Sequence, residues 1–214
     1  MFNIELTLLL FRIPAAFCAL VLHEMVKARC SAWQGDPTPE KHGLMKGNPL
    51  KYLEPIGFII TVIFGFGWGR PTPTSPLYYK DRKKGIFITY LTPSLVNLFV
   101  GLLVALIVGI YYVTEVQVAL AASPHIAVIT SRFFLLLSVF AQCSISIAFF
   151  NMIPVPPLDA SKLLLTALSP NTAVKVTQNE KLLQLVLMLL MVMGVISMII
   201  LPITDMLMSA AVTW

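Results

Sequence analysis

Charge is scarce in this sequence. Lys, Arg, Asp and Glu make up 12% of its 214 residues, against roughly 25% in soluble domains. Hydrophobic residues make up 57%, and the mean hydropathy is +0.85. One apolar run could be the core of a soluble domain. Apolar runs filling most of a chain exclude that class. Cysteine is scarce too. Cys18, Cys30 and Cys143 sit in or near apolar runs without CxxC spacing, which excludes a disulfide framework. They read as small buried side chains. No basic-aromatic groove or finger spacing is present, so nucleic acid is excluded as a partner. The net charge of +5 comes from loop residues and suits anionic lipid headgroups and membrane orientation. There is no internal repeat, and no linker long enough to divide domains. No small-residue processing site follows the first apolar run, which is therefore expected to be a span and not a cleaved signal.

What is present is a series of apolar segments. A helix needs roughly 20 residues to cross the hydrocarbon. The chain reads as a single integral membrane domain over 1–214, with spans at 6–30, 86–113, 130–150 and 182–203. Residues 55–69, PIGFIITVIFGFGWG, are short and glycine-rich and suit a re-entrant segment. Residues 151–168, NMIPVPPLDASKLLLTAL, read as a proline-broken helix. The stretch RPTPTSPLYYKDRKK at 70–84 suits extended or edge-strand geometry. Two loops are basic. One carries Arg29, Lys41, Lys46 and Lys51, the other Arg70, Lys80, Arg82, Lys83 and Lys84. The positive-inside rule favours both in the cytoplasm. They share a side only if 55–69 dips into the bilayer and returns, which broken backbone can do where protein surrounds it.

Ionisable residues inside apolar runs demand a reason. Arg12 is near a span end and can snorkel. His23, Glu24 and Lys27 fall within one helical turn, with His23 and Lys27 on one face. A second polar group is Asn151, Pro154, Pro156, Pro157 and Asp159, where Asp159 opens a short helix and is also a candidate cap. A third is Asn97 beside Pro93, whose amide can glue two helices together. His42 and His125 read as loop residues.

These segments resemble the site-2 protease family of intramembrane zinc metalloproteases, peptidase family M50, in its short bacterial form. The resemblance runs from about residue 15 to residue 170. It rests on HEMVK at 23–27, NPLKYLEPIG at 48–57, GFGWGRPTPTSP at 65–76, TPSLVN at 92–97 and NMIPVPPLDASK at 151–162. It implies an all-α, multi-span helical bundle of site-2 protease type, with a short membrane-associated extended segment and a proline-broken helix. In active members an HExxH motif and a distant LDG aspartate hold zinc. By resemblance, His23 and Asp159 match metal ligands and Glu24 matches the base that activates metal-bound water. Asn97, Asn151, Pro154 and Pro157 match a cleft for substrate or partner.

The chain departs from the family pattern at the metal shell. Lys27 stands where the second histidine belongs, and an ammonium cannot donate a lone pair to zinc. LDG is LDA here, and Thr92-Pro93 replaces Gly-Pro. The resemblance therefore implies a catalytically inactive relative in the bacterial inner membrane, multi-pass, without cofactor. Its partners would be other integral membrane proteins or their transmembrane helices, and the lipid bilayer. The alternative is an active zinc protease cleaving transmembrane segments. Lys27, as a charge replacing the metal, is expected to pair with Asp159 or Glu24.

Overall fold

The computed structural model describes residues 6–113 and 123–212. Helix α1 (Leu6–Trp33) is followed by the short α2 (Thr38–Lys41), two 3-10 turns and α3 (Pro55–Phe64). Then come α4 (Arg82–Val113), α5 (Pro124–Asn151), α6 (Asp159–Ala167), α7 (Pro170–Gln178), α8 (Glu180–Val192) and α9 (Val195–Val212). The described residues contain no β-strand. The fold is the all-α membrane architecture that the motifs imply.

Three helices are long and apolar enough to cross a bilayer: Thr7–Trp33, Arg82–Val113 and His125–Asn151. They pack on one another, and α9 lies against α4 and α5. Small residues set this packing. Ala15, Ala19 and Leu20 of α1 meet Val139, Cys143 and Ile147 of α5. A Cβ at Gly101 would come within 2.7 Å of Ile145 Cγ1, so glycine lets α4 and α5 approach closely. Pro14 and Pro93 sit inside α1 and α4 without ending them, as prolines in membrane helices do when neighbours satisfy the freed carbonyls. His125 lies in the first turn of α5, not in a loop.

The apolar stretch at 182–203 is two helices in the structure. They bend by 65° at a short break, where Gly194 takes φ +79°. The break folds the chain around a core of Phe66, Trp68, Phe150, Leu158, Leu187, Met191, Ile196 and Ile200. That core joins the last two helices to the turn before α6.

Helix α3 has sharp ends. Pro55 fills its first position, the Glu54 carboxylate accepts from the amides of Ile56 and Gly57, and Gly65 closes it at φ +85°. The chain then doubles back over α3. A Cβ at Gly57 would lie 2.2 Å from the Trp68 carbonyl oxygen, and one at Gly67 would lie 2.2 Å from Thr61 Oγ1. Residues 70–80 therefore return to the end of α1 from which they are separated in sequence. Arg70 N donates to Tyr52 O at 2.8 Å, and Lys80 N donates to Gln34 O at 3.2 Å. Asp36 fastens this junction. It accepts from Ser31 Oγ, from the Ser75 amide at 2.7 Å, and from the Thr38 amide and hydroxyl. Burial pushes the Asp36 carboxyl up, but these donors outweigh it and hold it below the usual carboxylate range. At the other end of α3, Arg12 Nη1 donates to Ile63 O at 2.9 Å, which places a cation at a helix C-terminus.

Candidate functional site

The four ionisable residues picked out at sequence level meet in one place. The α-helical period puts His23, Glu24 and Lys27 on neighbouring turns of α1, and the Pro156-Pro157 turn delivers Asp159 at the start of α6. Lys27 Nζ lies 2.8 Å from Glu24 Oε1 and 2.8 Å from Asp159 Oδ1. His23 Nε2 lies 3.0 Å from the other Asp159 oxygen. All four are buried, with 1–5% of each residue exposed. Both carboxylates thus share one ammonium: Lys27, expected to pair with Asp159 or Glu24, pairs with both.

Asp159 does not cap α6. Leu158 occupies the cap position, and the Asp159 carboxylate points to α1. Glu24 is held from its far side by Thr72, whose amide and hydroxyl donate to Oε2 at 3.1 and 2.8 Å. Gly69 makes room for this, since a Cβ there would sit 2.7 Å from Glu24 Cγ. Sequence reasoning did not find Thr72. The signal was the glycine alternation at 65–69, which marks close backbone approach without saying to what.

A cavity of about 70 Å³ adjoins the cluster. Glu24, Lys27 and Asp159 line it with Thr72, Tyr90, Asn151, Pro157 and Lys162. It is far smaller than the roughly 300–1,000 Å³ of small-molecule pockets. Asn151 and Pro157 reach it, whereas Asn97 and Pro154 are not among its lining residues. Asn97 is fully buried, and its amide donates to Ala19 O at 3.1 Å, tying α4 to α1. Pro154 is exposed in the turn between α5 and α6. His42 stays in its loop, with Nδ1 2.9 Å from Thr38 O.

The residues present do not fit a zinc ion. Among the described residues no three His, Cys, Asp or Glu side chains converge for a metal. His23 and Asp159 are engaged with each other, and Lys27 Nζ stands beside both carboxylates. An ammonium offers no lone pair, and beside a divalent cation in a buried site it adds repulsion.

Comparison with known proteins agrees with the architecture. The chain is similar to a Bacillus subtilis (strain 168) protein named "Putative zinc metalloprotease YwhC", with 28% identity over 178 residues, 82% of this chain and 77% of the relative. No solved structure matches the chain. The family model for peptidase family M50 matches residues 8–196. With the apolar helices and the motif order, this makes the chain a membrane protein of peptidase family M50, the site-2 protease family.

Proposed function

We propose that this chain is a catalytically inactive member of the family, in the bacterial inner membrane, which binds transmembrane helices of other proteins as a subunit or scaffold. The observation that carries this reading is the Lys27 ammonium bridging Glu24 and Asp159. Peptide hydrolysis of this type needs a metal to activate water and a carboxylate free to take its proton. Here Glu24 accepts one hydrogen bond from Lys27 and two from Thr72, leaving little of its acceptor capacity open. The helix-binding part of the proposal rests on retained architecture. The cleft residues Asn151 and Pro157 still border the polar site, while the metal shell has lost a ligand.

Metal analysis of the purified protein tests the proposal. The expected result is no stoichiometric zinc in the wild type and zinc retention in Lys27→His. One tightly held zinc per wild-type chain, lost on His23→Ala, would overturn it. Photo-crosslinkers placed at exposed Pro154 are expected to capture transmembrane segments of other membrane proteins.

A further inference from the structure

A second, larger cavity opens beside the charged cleft. It has a volume of about 360 Å³ and is walled by Arg82, Lys83, Ile86 and Tyr90 of α4 and by Lys162 and Leu165 of α6. Tyr90 and Lys162 also border the smaller cavity, so the two are neighbours with a common wall. Three cations and an apolar floor make this an amphipathic pocket. Glu24 and Asp159, across the common wall, are both engaged by Lys27, and two further carboxylates, Asp81 and Glu180, stand nearby without neutralising the pocket. Asp81 caps the first turn of α4 through the Lys84 amide and lies 3.9 Å from Lys84 Nζ. Glu180 is 3.9 Å from Lys162 Nζ in a half-exposed contact, a geometry that contributes little. Among the described residues, Arg82 and Lys83 have no carboxylate in ion-pair range.

Position in the bilayer identifies the occupant. Helix α4 has 32 residues, about 48 Å at 1.5 Å per residue, whereas the hydrocarbon is about 30 Å thick. Part of the helix must therefore lie at headgroup level. The charged run Arg82-Lys83-Lys84 marks that end, and the apolar run begins at Gly85 and Ile86. The cations of α4 thus sit at headgroup depth, one turn before the apolar run that Ile86 opens, and Ile86 and Leu165 form the apolar part of the pocket wall. Leu77 and Tyr78, 80% and 54% exposed in the turn just before α4, sit where interfacial anchors would.

We infer that this pocket binds the phosphodiester headgroup of an anionic phospholipid, with Arg82, Lys83 and Lys162 as its cation ligands and Ile86 and Leu165 against its first acyl carbons. The inference rests on membrane embedding and not on the state of the metal shell, so it stands or falls separately from catalytic inactivity.

Native mass spectrometry of the full chain in detergent, titrated with dioleoyl phosphatidylglycerol or dioleoyl phosphatidylcholine, tests it. Wild type is expected to retain phosphatidylglycerol preferentially. The variant Arg82→Gln/Lys83→Gln/Lys162→Gln should bind it at least about tenfold more weakly, since each cation near an anionic surface counts for several-fold. The control Lys41→Gln/Lys46→Gln should bind as wild type does. Unchanged binding in the triple variant, or equal loss in the control, would overturn the site. Full competition by soluble glycerol phosphate at equal concentration would also overturn it, because a free-anion site would then suffice. Should the triple variant not fold, Arg82→Gln and Lys83→Gln alone carry the same test, both residues being exposed.

Discussion

Lys27 is one substituted residue, yet its position decides how the surrounding charges are balanced. Two buried carboxylates near each other either take up a proton or need a cation. Here Lys27 Nζ contacts both at 2.8 Å. Removing one partner of a buried ion pair costs roughly 3–5 kcal/mol, mostly through the charge left unpaired. Lys27→Met should therefore destabilise the protein by about that amount in thermal or denaturant unfolding in detergent. Adding Glu24→Gln and Asp159→Asn to Lys27→Met should recover most of the loss, because neutral amides tolerate burial far better than bare carboxylates. A Lys27→Met protein as stable as wild type would mean that the ammonium does not balance the cluster. The cluster was only half legible in the sequence. Helical spacing alone aligned His23, Glu24 and Lys27. Asp159, 136 positions from His23, stood out as a polar residue in an apolar region, but only family resemblance joined it to that group, because no local pattern links residues so far apart. Thr72 was missed because its contact with Glu24 exists only after the chain has returned over α3.

That return is the decisive feature at the level of elements. Helix α3 was legible as short and apolar, and its cap signals, Glu54-Pro55 and Gly65, stand in the sequence. Its return path was not, since close approach is a property of two backbones. Gly57 shows the constraint most sharply. Its missing Cβ would meet the Trp68 carbonyl at 2.2 Å and the Trp68 ring at 2.8 Å. Backbone cannot yield as a flexible side chain does, so Gly57→Ala must lift the 66–69 segment from α3. Overpacking of this kind costs typically about 1–3 kcal/mol. It should also loosen Thr72 from Glu24, since Gly69 and Thr72 continue the same segment. The contrast is Gly65→Asn. Nothing lies within 4 Å of a Cβ there, and asparagine accepts left-handed backbone more readily than other residues with a side chain. Thermal unfolding in detergent should rank Gly57→Ala well below Gly65→Asn; equal stability would show that the return path is not tightly packed. The break at Gly194 was likewise hidden, because a glycine in an apolar run is ordinary in a membrane helix. The bend follows from its positive φ, which composition does not reveal.

At the scale of the whole molecule, these contacts bear on how the chain sits in the membrane. The basic loops at 29–51 and 70–84 are separated by α3, whose 10 residues span about 15 Å. That is half of a hydrocarbon layer about 30 Å thick. The two loops are also joined directly, by Ser75 to Asp36 and Lys80 to Gln34, and Arg70 is bonded to Tyr52 just beyond the first loop. Loops hydrogen-bonded to one another cannot lie on opposite faces of a bilayer. Helix α4 is long and apolar enough to carry the chain across, which would put the start of α5 on the other side. Single cysteines can be placed at Lys46, Lys80 and His125, all exposed, after the native Cys18, Cys30 and Cys143 have been replaced by alanine. An impermeant maleimide applied to intact cells should label the cysteine at 125 and spare those at 46 and 80. Inverted membrane vesicles should give the reverse. Opposite labelling of positions 46 and 80 would mean that α3 crosses the bilayer. The junction at Asp36 would then have to come apart in the membrane, and Glu24 would lose the Thr72 donors that the returning segment brings to it.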